Sequence, residues 1–141
     1  MQPENSQAPN SDAISDGIRV QASAQYLPDE SDPDVPFYLY VYRIVLKNEG
    51  HQRAKLLSRH WIIKDSNNER HDVEGPGVVG EFPDLGPGES FQYVSSCQLR
   101  THWGTMEGSY LFEREDGGQF QVQIGRFFLA QNTTPIQALQ Q

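Results

Sequence analysis

The fold class this sequence predicts is an all-β sandwich, and three observations predict it. Apolar and polar residues alternate with a period of two through most of the chain, the pattern of half-buried strands. No i, i+3, i+4, i+7 apolar pattern lasts for a helix of ordinary length. Turn signals break the extended runs at short intervals: Asn48-Glu-Gly50, Asp65-Ser-Asn-Asn68 and Asp116-Gly-Gly118. About seven to eight short strands so arranged must pack sheet on sheet to bury their apolar faces.

Each element follows in order. Residues 1–16 are mostly Gln, Asn, Ser, Pro and Asp, too polar to offset the entropy of ordering, so a disordered arm is expected there. Ile18, Val20, Ala22, Ala24 and Tyr26 alternate strictly and open the domain, expected to span residues 17–130. Pro28 to Pro36 reads as an acidic loop. Phe37 to Asn48 is the most β-prone run, with Tyr38, Tyr40, Tyr42, Ile44 and Leu46 on one face and an apolar start to the other, which predicts a central strand. In Ala54 to Asp65, Arg59, Trp61 and Ile63 share a parity that Leu56 does not, so either a bulge intervenes or both faces are covered. Glu69 to Val73 is a short strand. Phe91, Tyr93, Ser95, Cys97 and Leu99 alternate cleanly, and Arg100 to Gly108 reads as a loop. Tyr110 and Phe112 lead into the Asp116-Gly-Gly118 hairpin turn. The return strand carries Phe120, Val122 and Ile124 on one parity and Phe127 and Leu129 on the other, with room for a bulge at Gly125-Arg126. Residues 131–141 read as a loose tail.

Composition narrows the function classes. The net charge of −8 opposes a nucleic-acid partner, which needs a basic face for phosphates. No apolar run approaches the roughly 20 residues that span a bilayer, and the first residues lack the basic and apolar regions of a secretory signal. A lone cysteine, Cys97, suits a reducing compartment, so a cytoplasmic location is expected.

The segment His71–Gly88 holds five of the twelve glycines and three of the nine prolines, and cannot be an ordinary strand or helix. Gly75, Gly77 and Gly80 spell G-x-G-x-x-G, a pattern that cradles phosphates where it closes a strand and opens a helix. Here Pro83 and Pro87 preclude that helix, no Lys-Ser/Thr pair follows, and Glu74, Glu81, Asp84 and Glu89 crowd the segment with negative charge. The alternative is a crossover loop between sheets, anchored in the core by Val78 and Val79. The four histidines show no metal-ligand spacing, and no acid–base or nucleophile constellation is visible, so neither an enzyme nor a cofactor is expected. Cys97 reads as an inert core thiol. Arg59 shares the inward parity of Trp61 and must be paired or stacked; it is expected to lock the glycine loop or a neighbouring acid. Trp103 and Met106 lie in an otherwise polar segment, as a recognition surface or, preferably, as a cap folded over the end of the sandwich.

Four motifs in order, Leu56-Leu-Ser-Arg-His-Trp-Ile-Ile63, Val73-Glu-Gly-Pro-Gly-Val-Val-Gly-Glu-Phe-Pro83, Pro87-Gly-Glu-Ser-Phe-Gln-Tyr93 and Gly104-Thr-Met-Glu-Gly-Ser-Tyr110, together resemble the ApaG family. The resemblance covers about Ile18 to Leu129 and implies a fibronectin type III/immunoglobulin-like β-sandwich of the stand-alone bacterial type. It also implies an association with cobalt resistance and magnesium efflux, and a glycine motif suggested to bind pyrophosphate. Related domains serve as modules of eukaryotic F-box and DNA-polymerase-delta-interacting proteins. The chain departs from the family pattern at Gly125 and His102, where proline is usual.

Two expectations about function follow. The leading one is a non-enzymatic module that binds a protein partner. The other is a site for pyrophosphate or a nucleotide phosphate on Gly75, Gly77, Val78, Val79 and Gly80, with a divalent cation bridging to Glu74 or Glu81. Arg59, Trp61, Trp103 and Met106 are the supporting candidates, while metal identity and oligomeric state stay open.

Overall fold

The computed structural model of the protein describes residues 8–131. Among these residues nine strands form two antiparallel sheets: β1 (Ser11–Ser15), β2 (Ile18–Tyr26), β3 (Tyr38–Asn48), β4 (Ala54–Asp65), β5 (Arg70–Pro76), β6 (Asp84–Leu85), β7 (Ser90–Leu99), β8 (Gly104–Arg114) and β9 (Gln119–Leu129). The first sheet runs β1-β2-β3-β7 and the second β5-β4-β8-β9, with the short β6 continuing the row beside β4. The one helical element among the described residues is a single 3-10 turn, Pro28–Glu30. The all-β sandwich is therefore as expected, with β3 central in its sheet.

The inward parities meet as the alternation requires. Ile18, Val20, Ala22, Tyr40, Ile44 and Leu46 from the first sheet are buried against Leu56, Trp61, Tyr110, Phe112, Val122 and Phe127 from the second. Trp61 organises the centre, its ring 5.4 Å from Tyr42, 6.0 Å from Phe127 and 6.3 Å from Tyr110, all edge-on, an arrangement that sets positive ring edges against negative faces. The hydroxyls of Tyr93 and Tyr110, one from each sheet, share a buried hydrogen bond of 2.6 Å. Asn48, fully buried at the end of β3, clasps the sheets: its Nδ2 donates to the carbonyls of Gln52 and Leu85, 2.7 and 2.9 Å away.

Both expected irregularities are present. The β4–β8 register shifts between Leu56 and Ser58, which moves Leu56 and Trp61 onto the same buried side. The β8–β9 register shifts between Met106 and Gly108, opposite Gly125-Arg126, and brings Phe127 and Leu129 inward. A bulge absorbs one extra residue and restores the facing of everything after it.

Three expectations need correction. The polar arm of residues 1–16 is not wholly unstructured: Ser11–Ser15 forms β1, paired with β2 in register Ser11↔Ala22 to Ser15↔Ile18. Its stabilisation comes from backbone pairing and local polar contacts. Arg19 holds the Asp12 carboxylate at 2.8 Å, and the Asn10 side chain accepts the Ala24 N–H at 2.8 Å. Hydropathy does not register such bonds. Residues 1–7 of that arm, and the tail from 132, lie outside the described residues. The second correction is Arg100 to Gly108, read as a loop: β8 begins at Gly104, opposite Asp65 and Leu129. Gly104 and Gly108 serve as strand residues there because a Cβ at either would run into the backbone of β4, at Lys64 and His60 respectively. The third is Gly75-Pro76, which ends a regular strand, Pro76 standing opposite Ser58.

Candidate functional site: the glycine hairpin and the open seam

The row of residues along the outer edge of β4 is interrupted. β5 pairs with Ser58–Lys64 and β6 with Ala54–Lys55. Between them the Gly77 N–H donates to the Leu57 carbonyl at 2.9 Å, and the Pro83 carbonyl accepts the Leu56 N–H at 2.8 Å. The residues between loop out as a tight hairpin. Val78 and Glu81 exchange both backbone hydrogen bonds, at 2.9 and 2.7 Å, and Val79 and Gly80 turn the corner with φ of 43° and 80°. Positive φ at both central residues is the primed turn whose twist suits a two-residue hairpin.

Each glycine of the hexad thus has a distinct task. A Cβ on Gly75 would lie 2.9 Å from the Arg59 guanidinium, which occupies that space. Gly77 has φ of 60°, and a Cβ there would strike the Glu81 carbonyl oxygen. Gly80 needs only its positive φ. The amides of Gly77 and Val78 point at backbone acceptors, so they do not form a cradle open to a phosphate. Of the two valines expected to anchor the loop, Val78 is buried, whereas Val79 is 53% exposed at the tip beside the half-exposed Phe82. Nor does the hairpin cross between sheets; that passage comes after β6, through Gly86-Pro-Gly88 into β7.

Arg59 comes from β4 and faces Gly75 across the β4–β5 pair. Its Nη1 donates to the carbonyls of Pro76 and Gly77 at 2.8 and 3.0 Å, which ties the hairpin to the sheet. Arg59 also lines a hollow of about 310 Å³ between the sheets, with Tyr42, Trp61, Val73, Ser95 and Cys97. This hollow is the open seam where the second sheet's edge strand, β5, faces β7. Burial pushes the Cys97 thiol up to about 12, so it is a proton-bound core group at neutral pH. Burial raises the Tyr42, Tyr93 and Tyr110 hydroxyls as well.

The outer face of β4 and β5 carries the remaining charged cluster. Asp72 accepts from Arg70 at 2.7 and 3.0 Å and stands 2.8 Å from His60 Nε2. Arg70 first, and His60 after it, hold the Asp72 carboxyl well below the usual range. Glu74 lies 3.8 Å from the same imidazole, and Glu81 is in the hairpin. Among the described residues no group of three or more His, Cys, Asp or Glu is placed to hold a metal ion. No helix among them is long and apolar enough to cross a membrane.

Trp103 and Met106 separate. Met106 is buried in β8, while Trp103, just before β8, is 38% exposed and stacks on Phe128 with ring centroids 6.2 Å apart. Phe128 itself is 55% exposed. Sequence reasoning missed Phe128, although the parity flip at Gly125-Arg126 that turns Phe127 and Leu129 inward must turn Phe128 outward.

Comparison with known proteins agrees with this architecture. A family model described as the ApaG domain matches residues 28–114. Protein ApaG of Dechloromonas aromatica is 50% identical over 113 residues, 80% of this chain and 89% of that protein. Protein ApaG of an Acidovorax species is 50% identical over 112 residues, 79% and 82% of the two chains. The crystal structure of the ApaA protein of Bordetella pertussis superposes with a TM-score of 0.79 at 39% identity, over 90% of this chain and 98% of that one. With a model matching more than half its length and relatives of this identity along most of it, the chain belongs to the ApaG domain family.

Proposed function

We propose that this protein is a non-catalytic module that binds another protein. The observation that carries the reading is the Trp103–Phe128 stack, an aromatic pair held outside the core at the end of the sandwich where β7, β8 and β9 meet. Paired large aromatic side chains left partly in solvent are frequent anchors of a protein interface. The ionisable groups support the same reading. Cys97 is held protonated by burial, and Asp72 is held ionised by its hydrogen bonds with Arg70 and then His60, so neither is poised for proton transfer near neutral pH. A link to divalent-cation homeostasis, implied by the family resemblance, would then act through the partner rather than through coordination by this chain.

The test is site-specific photo-crosslinking in cells. A photoreactive residue at position 103 or 128 is expected to capture a discrete protein, and one at the exposed position 119 to capture none. Adducts absent from both aromatic positions would end this reading.

A further inference from the structure

The two sheets have four edges, and three are closed or guarded. β1 lies against β9, where the Ser15 hydroxyl accepts the Gln123 N–H at 3.0 Å and Ser11 sits 3.4 Å from the space beside Gly125. β5 carries Arg70, His71, Asp72 and Glu74 and ends at Gly75-Pro76, features that discourage a further strand. β7 is different. Its ten residues, SFQYVSSCQL, contain no charge, no proline and no glycine, and among the described residues only β3 pairs with it. Such an edge presents unpaired N–H and C=O groups to any extended chain. A strand added beside β7 would lie opposite β5 and roof the seam hollow.

Arg59 sits in that hollow with donors to spare. Its Nη1 serves Pro76 and Gly77, but Nε and Nη2 meet no protein acceptor, and no carboxylate lies within 4 Å, among the described residues. Arg19, Arg53, Arg70 and Arg126 by contrast each hold an acid. A guanidinium in a partly enclosed site, with one side of its fork unused, matches the two oxygens of a carboxylate. The nearby acids do not compete. Asp72 and Glu74 pair with Ile62 and His60, one register off Trp61 and Arg59, and so face the other side of the sheet.

We infer that the free edge of β7 accepts an extended peptide strand from a partner protein, one of whose inward side chains is an Asp or Glu that pairs with Arg59. The inference rests on the protein-binding reading above and names its site and ligand. A second copy of this chain does not fit the role. The inward residues of its own β7 are Phe91, Tyr93, Ser95, Cys97 and Leu99, none of which can supply the acid. Inward residues of the added strand two places from the acid would meet Trp61, Val73 and Cys97, so an apolar residue belongs there. Trp103 follows the end of β7 by four residues, which extends the same surface to the aromatic stack.

The test pans displayed random twelve-residue peptides against the full chain and titrates the best synthetic peptide into the isotopically labelled protein. Selected peptides are expected to carry an acid two places from an apolar residue and to shift the amides of Ser90–Leu99. Arg59→Gln should weaken binding at least tenfold, as should Glu→Gln or Asp→Asn in the peptide, while Arg19→Gln, on β2 away from β7, should change it less than twofold. Ser95→Asp, which supplies a carboxylate inside the hollow, should weaken binding as much and decides the matter if Arg59→Gln fails to fold. A selected peptide that shifts other strands, or is indifferent to these substitutions, overturns the inference and leaves the protein-binding module standing. Sedimentation showing a dimer closed through β7 overturns the choice of occupant. If no peptide is enriched, this inference falls; the module reading falls with it only when positions 103 and 128 also capture nothing.

Discussion

The two sides of the sandwich are built from contrasting material. On the closed side β1 contributes almost no apolar surface, yet it seals the gap beside β9 by backbone pairing with β2 and by the Ser15–Gln123 bond. On the open side aromatic and aliphatic residues are plentiful, but the seam between β5 and β7 stays open, with Arg59 in it and the glycine hairpin hung from that side chain. Apolar content therefore does not decide which side closes. What decides is whether a strand is available to cover the edge and whether a charged group must be kept wet.

Substitutions should separate the sides, beginning with the most damaging. Gly77→Ala combines a positive φ with a Cβ against the Glu81 carbonyl, and should cost about 2–3 kcal/mol in urea unfolding. Arg59→Ala removes two bonds to the hairpin and should cost about 1–2 kcal/mol. Hydrogen exchange should then rise around Gly77–Glu81 and stay unchanged in β1. Removing residues 1–16 tests the closed side. The expected loss is about 1 kcal/mol, with faster exchange at Gln123 and none at β7. Equal exchange on both sides after either change would break the comparison.

Alkaline pH should affect the open side next. Burial raises Cys97 from 9.0 to about 12 and raises the hydroxyls of Tyr42, Tyr93 and Tyr110 above 10.0. The folded state keeps protons that the unfolded chain releases above about pH 9–10, so the unfolded state binds fewer protons in that range. Stability is therefore full below about pH 9 and falls as pH rises. Melting temperatures from pH 7 to 11 should show the decline, and Tyr93→Phe should make it shallower. The smallest expected effect is none: pyrophosphate at millimolar concentration, with or without Mg²⁺, should give no heat of binding. The Gly77 and Val78 amides are already bonded, and a clear isotherm lost in Gly77→Ala would restore the phosphate reading.

Particular residues show why some features were legible and others not. The bulges were legible to different degrees because a strand's facing is locked to its parity: Ile124 against Phe127 pointed to an extra residue at Gly125-Arg126, whereas Leu56 against Trp61 allowed either a bulge or two covered faces, and the β4–β8 register decides for the bulge. The Arg59–hairpin contact could be half read, since an inward guanidinium needs acceptors; that these are the carbonyls of Pro76 and Gly77 depends on the β4–β5 register. Val79 misled because valine so often packs in cores, and only the two-residue turn makes it a tip. Asn48 was legible as a turn residue, its Oδ1 accepting the Gly50 N–H at 2.9 Å, but not as the buried clasp it also is, because its partners Gln52 and Leu85 come from segments that meet only when the sheets stack.

By itself, then, the sequence determined the strands, their buried faces and the all-β class, since these follow from alternation and turn chemistry within a few neighbouring residues. Tertiary structure alone decided the rest. It made SDAIS a strand, turned G-x-G-x-x-G into a hairpin whose glycines make room for Arg59 and the Glu81 carbonyl, and left one uncharged edge beside an arginine with unused donors. Those outcomes depend on contacts between residues far apart in the chain, which no local pattern encodes.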